Sequence, residues 1–327
     1  MTDIRLGIIG CGIMGERILR VTLDNSDLGV TLAGVYEPSE ARRKKLAAEL
    51  PRAALAESLE GLIAASDCIY IASPPLTHLA LARQAMAAGC AVLTEKPLAV
   101  SIADSEAFLK EANEPGRRAA VNFIFASAPA AIQVQKWIAE GVVGTPQRLE
   151  IGTRFARWPR EWQEGASSWL SGPEEGGFTR EVVSHFLFLA RRTFGPLTLL
   201  SANAEHAVSG AAETAIQAEL SAGDLPVRIM GDVGQVPDSD HNIWKVVGDK
   251  GTVRLRDWSY AERWDEAAGE WVGNPDAPSH AEMRPMILRG QVGKLPALVR
   301  GEDQDLATVA EALDVQRIVE AILTSKG

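Results

Sequence analysis

The stretch Ile4-Arg-Leu-Gly-Ile-Ile-Gly-Cys-Gly-Ile-Met-Gly15 decides the fold. Ile4–Ile9 is short and apolar, as a buried strand requires, and a run at helical spacing follows over Ile13–Asn25. Between them lies a GxGxxG. Gly10 permits a tight turn, Gly12 leaves space for a pyrophosphate, and Gly15 lets helix and strand pack closely. Ile13 and Met14 open the helix, whose free N–H groups and positive dipole end suit phosphate. Glu37 ends the next strand about 20 residues later, where a carboxylate accepts hydrogen bonds from ribose hydroxyls. A 2′-phosphate would face that charge, so NAD is favoured. Arg42 and Arg43 leave room for NADP.

Outward from this loop, strand-like and helix-like runs alternate. Val30–Tyr36, Cys68–Ala72, Ala91–Thr94 and Ala119–Asn122 read as strands, and Glu40–Leu50, His78–Ala88 and Ala103–Asn113 as helices. This pattern predicts a doubly wound parallel sheet over residues 1–121, the nucleotide-binding half of an α/β protein. The remainder, 122–327, changes character. Gln147–Arg157, Leu197–Ala207, Thr214–Ala222, Val227–Val233, Asn242–Val247 and Thr252–Trp258 read as strands on short connections, so a large, mostly antiparallel open sheet is expected. Val182–Thr193 and Asp303–Leu323 read as helices, the last free to pack back on the first domain, and Ala261–Ala281 as an exposed loop or hairpin.

The chain has 327 residues, 46% of them hydrophobic and 23% charged, with a net charge of −10. An acidic surface repels phosphate backbones and anionic lipids, so neither nucleic acid nor a membrane is an expected partner. No apolar run approaches a membrane span, and the N-terminus has no signal-peptide pattern. Cys11, Cys68 and Cys90 form neither a disulfide framework nor a CxxC pair, which points to the cytoplasm. His206, His241 and His280 are isolated, and no metal site is predicted.

Further along, Ser73-Pro74-Pro75 with Thr77-His78, and then Glu95-Lys96-Pro97, stand at set distances from the glycine loop. Together these residues closely resemble the Gfo/Idh/MocA family of NAD(P)-dependent oxidoreductases. The resemblance extends to Asn122-Phe123 at the domain entry and to Gly248-Asp-Lys-Gly251, which is similar to the family's G-T-x-G turn. It implies a Rossmann domain followed by an α/β domain whose open sheet walls the active site and builds a dimer or tetramer. It also implies that Ser73, Pro74, His78, Glu95 and Asn122 line the coenzyme site, Glu95 holding the nicotinamide ribose and Lys96 beside nicotinamide and substrate. The sheet face is further expected to be too apolar to leave in water.

The family carries a helix with a GG-x(4)-D-x(3)-H pattern. Here Gly176-Gly177 precedes Glu181 and His185, with glutamate in place of aspartate. Residues four apart share a helix face, so both can serve one cleft, and Lys96, His185 and Glu181 are the expected catalytic set. Ile124, Val183 and Phe188 depart from common family residues. With Phe123, Phe125 and Phe186 they make these neighbourhoods unusually apolar. Arg154, Trp158, Trp162, Trp169 and Arg180 are candidate substrate contacts, since aromatic faces and guanidinium forks suit a ring carrying an anionic group. The expected reaction interconverts an alcohol and a carbonyl on a small sugar- or polyol-like molecule. Reduction of an imine or cyclic conjugated substrate is the alternative, and a non-catalytic dinucleotide-binding sensor the rival outside enzymology.

Overall fold

A computed structural model describes residues 2–237, 240–274 and 277–325. The chain divides into two compact units, Met1–Ile124 with Pro285–Leu313, and Phe125–Arg284 with Asp314–Gly327.

The first unit is built on β1 (Ile4–Ile9), β2 (Val30–Tyr36), β3 (Cys68–Ile71), β4 (Ala91–Thr94) and β5 (Ala119–Val121). All five pair in parallel, and every residue of β3 and β4 is buried, as strands covered on both faces must be. The helices on this sheet are α1 (Ile13–Asp24), α2 (Glu40–Glu49), α3 (Leu59–Ala64), α4 (His78–Ala87) and α5 (Ile102–Ala112). The helix α6 (Pro129–Ala139), with proline in its first turn, lies in the second unit.

That unit carries β6 (Pro146–Phe155), β7 (Thr198–Glu205), β8 (Ala215–Ala222), β9 (Leu225–Val233), β10 (His241–Gly248), β11 (Thr252–Arg256), β12 (Tyr260–Asp265) and β13 (Glu270–Gly273). They form one sheet in the order β13-β12-β11-β10-β6-β9-β8-β7. Every pairing is antiparallel except β6 with β9. Alternate residues such as Ile151, Phe155, Ile229, Trp244 and Leu255 are buried on one face.

The other face is not the apolar surface expected. Its alternate positions carry ion pairs: Arg148 and Lys245 on Glu150 (2.7 and 2.6 Å), Arg228 on Glu219 (2.7 Å) and Arg254 on Glu262 (2.6 Å). Such charges solvate much of the face, with Met230 and Trp264 as exposed apolar residues among them.

The chain has further helices α7 (Ser167–Leu170), α8 (Ser184–Phe194), α9 (His280–Gly293), α10 (Leu295–Arg300) and α11 (Val309–Thr324). The segment 285–313 gives the first unit part of its core: Leu288, Val292, Leu295, Leu298 and Leu306 cluster with Ile4, Leu6 and Ile8. It also gives that unit a sixth strand, β14 (Ala307–Thr308), antiparallel to β5. The closing helix therefore starts at Val309, not near residue 303. Thr308 and Glu311 form a reciprocal cap, with Glu311 N–H donating to Thr308 Oγ1 (3.1 Å) and Thr308 N–H to Glu311 Oε2 (2.9 Å).

Candidate active site

The glycine loop shows why each glycine is needed. Gly10 has φ +81°, and a Cβ there would lie 2.8 Å from the Ala72 carbonyl oxygen. A Cβ on Gly15 would lie 2.1 Å from the Gly10 oxygen. Gly12 is different: no atom lies within 4 Å of its added Cβ, and as N-cap of α1 it makes no side-chain cap. The loop thus leaves open space in front of uncapped N–H groups at Ile13 and Met14, which is what a pyrophosphate takes up. The residues present fit a dinucleotide.

Glu37 is buried at the end of β2. Its Oε2 accepts from Cys11 N–H (2.8 Å) and its Oε1 from Ser39 N–H (2.9 Å), so the carboxylate is aimed before any ribose arrives. Arg42 donates from Nε to the Cys11 carbonyl (2.8 Å), and Arg43 from Nη1 to the carbonyls of Glu37 and Pro38 (2.7 and 2.8 Å). Both arginines pin the loops around the acid. Burial beside Glu16 pushes the Cys11 thiol up to about 12, so this loop cysteine stays a neutral packing group.

At the ends of β3 and β4 the second cluster assembles. His78, the first residue of α4, sets Nε2 against the Ser73 carbonyl (2.8 Å) and Nδ1 against the Pro97 carbonyl (2.9 Å). A neutral imidazole donates to one of these at a time, and only the protonated ring to both. The ring straps the Ser73-Pro74 turn to the Glu95-Lys96-Pro97 turn, while Thr77 Oγ1 donates to Ser73 Oγ (2.6 Å). The Lys96–Pro97 peptide is cis. Glu95 is buried, and its Oε1 accepts from the Tyr70 hydroxyl and from Asn122 Nδ2 (2.6 Å). Burial and the Glu95 charge raise the Tyr70 phenol well above its usual range, so it remains a donor. Lys96 follows directly, partly buried, at the carboxyl end of β4.

In the second unit, the paired glycines are dictated by space. A Cβ on Gly176 would lie 2.3 Å from the Leu170 oxygen. Gly177 has φ +93°, and its Cβ would fall 2.2 Å from the Glu213 carboxylate. Glu213 is buried, and Oε1 accepts from Thr179 N–H (2.7 Å), where the chain enters a wide π-helical turn, Thr179–Val183. Burial holds the Glu213 carboxyl above its ordinary range. Glu181 lies in that turn and His185 in the first turn of α8, about one turn apart in either helix type. His185 is buried, with the rings of Phe125 and Trp258 edge-on to it at 6.0 and 5.4 Å. Phe123, Phe125, Phe186 and Phe188 are all buried core side chains.

The candidate substrate residues divide. Arg180 is fully engaged: Nε and Nη2 grip the Glu320 carboxylate (2.7 Å each), and Nη1 donates to the carbonyls of Pro173 and Gly176 (2.7 and 3.0 Å). It is a structural clamp on α11, and its expected substrate contact is withdrawn. Arg154 is largely exposed and pairs with Asp232 (3.4 Å). Trp158 donates Nε1–H to the Leu170 carbonyl (3.2 Å), and Trp169 is half-buried near the end of α7. Trp162 remains 46% exposed, with the Arg160 guanidinium 4.7 Å and that of Arg284 5.8 Å from its ring centre. Burial lowers the pKa of both guanidiniums. Among the described residues no group of three or more His, Cys, Asp or Glu side chains is placed to hold a metal, and no helix is long and apolar enough to cross a membrane.

Residues 4–123 match the oxidoreductase family described as "NAD-binding Rossmann fold", Gfo/Idh/MocA. That match covers the first, nucleotide-binding part of the chain. Inositol 2-dehydrogenase 2 of Saccharopolyspora erythraea is 34% identical over 160 residues, 47% of this chain and 46% of the relative. UDP-N-acetylglucosamine 3-dehydrogenase of Acidithiobacillus ferrooxidans is 31% identical over 150 residues, 46% of this chain and 45% of that protein. The aligned stretch thus spans about half the length of these curated relatives. The crystal structure of an oxidoreductase from Thermotoga maritima superposes over 99% of this chain and 96% of that one, with TM-score 0.82 and 17% identity. The cofactor of the matched segment is NAD(P).

Three residues that contact the candidate site residues were missed. Tyr70 is the one residue of β3 with a polar tip, and strand order alone puts it beside Glu95. Glu213 carries no local signal, because its partner is 34 residues earlier in the chain. Trp258 was read as the end of a strand, whereas β11 stops at Arg256 and a turn follows.

Proposed function

We propose that this chain transfers hydride between NAD(H) and a CH–OH or C=O carbon of a sugar- or polyol-like substrate. When bound, the coenzyme supplies the hydride donor or acceptor at nicotinamide C4. Residues of the first unit hold it: the N–H groups of Ile13 and Met14 take the pyrophosphate, Glu37 the adenosine ribose, and Glu95 the nicotinamide ribose. Lys96 and His185 handle the proton, one of them accepting it from the hydroxyl during oxidation and returning it during reduction. Glu181 orients His185 or hydrogen-bonds the substrate. Trp162, Trp158, Trp169 and Arg154 are the substrate contacts.

The observation that carries this reading is the locked carboxylate of Glu95. A buried acid gripped by Tyr70 and Asn122 fixes the end of β4, so the next residue, Lys96, is presented from a rigid turn. The inositol and UDP-N-acetylglucosamine dehydrogenases support the substrate class by their names. NAD over NADP is supported by the aimed Glu37 and by the use of Arg42 and Arg43 on backbone carbonyls.

Assembly as a dimer or tetramer through the charged sheet face completes the reading. Rows carrying both signs suit the self-complementary contact of a two-fold axis, and sedimentation as a monomer at micromolar concentration would refute it. Three buried free thiols fit the reducing cytoplasm. The enzymatic claim is tested with polyols, sugars and nucleotide sugars offered with NAD+ and NADP+ while NAD(P)H absorbance is followed. Coenzyme binding without turnover of any of them, in either direction, would favour the sensor.

A further inference from the structure

Asp257 and Trp258 are the non-glycine residues with positive φ among the described residues, at +45° and +70°. Ser259 N–H closes back on the Arg256 carbonyl (3.2 Å), and β12 begins at Tyr260. Both central residues of this turn thus have positive φ, as in type I′, where the second position ordinarily goes to glycine. A tryptophan there is strained, and such strain persists only where its surroundings over-determine it. They do so here. Asp257 N–H donates to the Asn242 carbonyl (2.9 Å) and Asn242 N–H to Asp257 Oδ1 (3.0 Å). Arg256 donates from Nη1 to Asp257 Oδ2 (3.0 Å) while Glu262 holds its other side (2.9 Å from Nη2).

The strained turn presents the indole to three rings. Phe125, His185 and Phe186 lie 5.4, 5.4 and 5.2 Å from it, centre to centre. The indole meets the imidazole edge-on, at 76°. Glycine in this turn would be unstrained but would leave that side of His185 without a wall.

We propose that Trp258 is a positioning residue for His185, fixing the plane of its imidazole from a turn strained to deliver it. This rests on the reading of His185 as a proton-handling group. Trp258 acts through His185, so its loss lowers turnover while coenzyme binding is kept.

The test uses Trp258→Gly, Trp258→Phe and His185→Asn in the full chain. The chain has five histidines, so the His185 ring-proton NMR signal is assigned by its loss in His185→Asn. In folded Trp258→Gly that signal moves, and turnover falls roughly 10- to 100-fold, the scale of a small misplacement. The assay takes the panel substrate that the wild-type chain oxidises fastest. Trp258→Phe restores both readouts in large part, because a ring still faces the imidazole. An unmoved His185 signal with normal turnover in Trp258→Gly overturns the proposal, as does a phenylalanine variant no better than glycine. Normal turnover in His185→Asn removes the proton role and this proposal with it. An inactive His185→Asn beside a fully active Trp258→Gly removes this proposal alone.

Discussion

The Glu37 carboxylate holds the Cys11 N–H at 2.8 Å and so ties the acid at the end of β2 to the middle of the glycine loop. One side chain both shapes the loop and is the acid proposed to hold the ribose. NAD(H) should therefore bind more tightly than NADP(H) in calorimetric titration. Glu37→Ser should narrow or reverse that preference and weaken NAD(H) as well, because the loop loses its tie. A wild-type preference for NADP(H) would show that Arg42 or Arg43 serves a 2′-phosphate.

Gly177 and Glu213 compete for one space, so Gly177→Ala should cost roughly 2 kcal/mol or more, from positive φ and a displaced buried acid. Thermal melting would show it, and an unchanged midpoint would contradict the steric account.

Glu213 also makes a pH prediction. Burial raises its folded pKa above the unfolded value of about 4.3. Its favourable contribution is complete below the unfolded pKa and is lost as pH rises through the folded one. Glu213→Gln keeps an acceptor for Thr179 N–H and removes that titration. The variant should gain stability relative to wild type as pH rises from about 4 towards neutrality. A constant difference across that range would mean that Glu213 does not titrate abnormally.

The first sheet was legible because apolar periodicity, glycine spacing and strand ends are local properties. Ile4–Ile9, Val30–Tyr36 and Ala91–Thr94 were read with the bounds that the structure gives. Short helices such as α3 and α10 were not, since one or two turns carry no clear period. Pro285 inside α9 and the return of residues 285–313 to the first core were hidden, because a proline reads as a break and core membership is a long-range fact. The charged sheet face was misjudged because which strand residues share a face depends on pairing between strands distant in sequence. Arg180 was misread because its acid partner is 140 residues away.

That pair gives a sharp contrast. Arg180 and Glu320 are only 8% and 17% exposed, so Arg180→Ala should cost roughly 3 kcal/mol of stability by leaving Glu320 half-buried and unpaired. At a temperature where the variant is folded, the substrate KM should stay near wild type. A large rise in KM with unchanged melting would restore Arg180 to the substrate site.

The central claim is that Lys96, presented by the locked turn after β4, takes part in proton transfer. Its most direct test is the turnover of Lys96→Ala on the best panel substrate, with the NAD(H) dissociation constant measured on the same preparation. Turnover should fall by roughly 100-fold or more, the usual scale for acid–base groups, while coenzyme affinity changes far less. Lys96→Arg should rescue poorly, since guanidinium keeps its proton, and a Lys96, His185 double variant should be little worse than either single. Near-normal turnover in Lys96→Ala would contradict the account and leave Glu95-Lys96-Pro97 a structural turn.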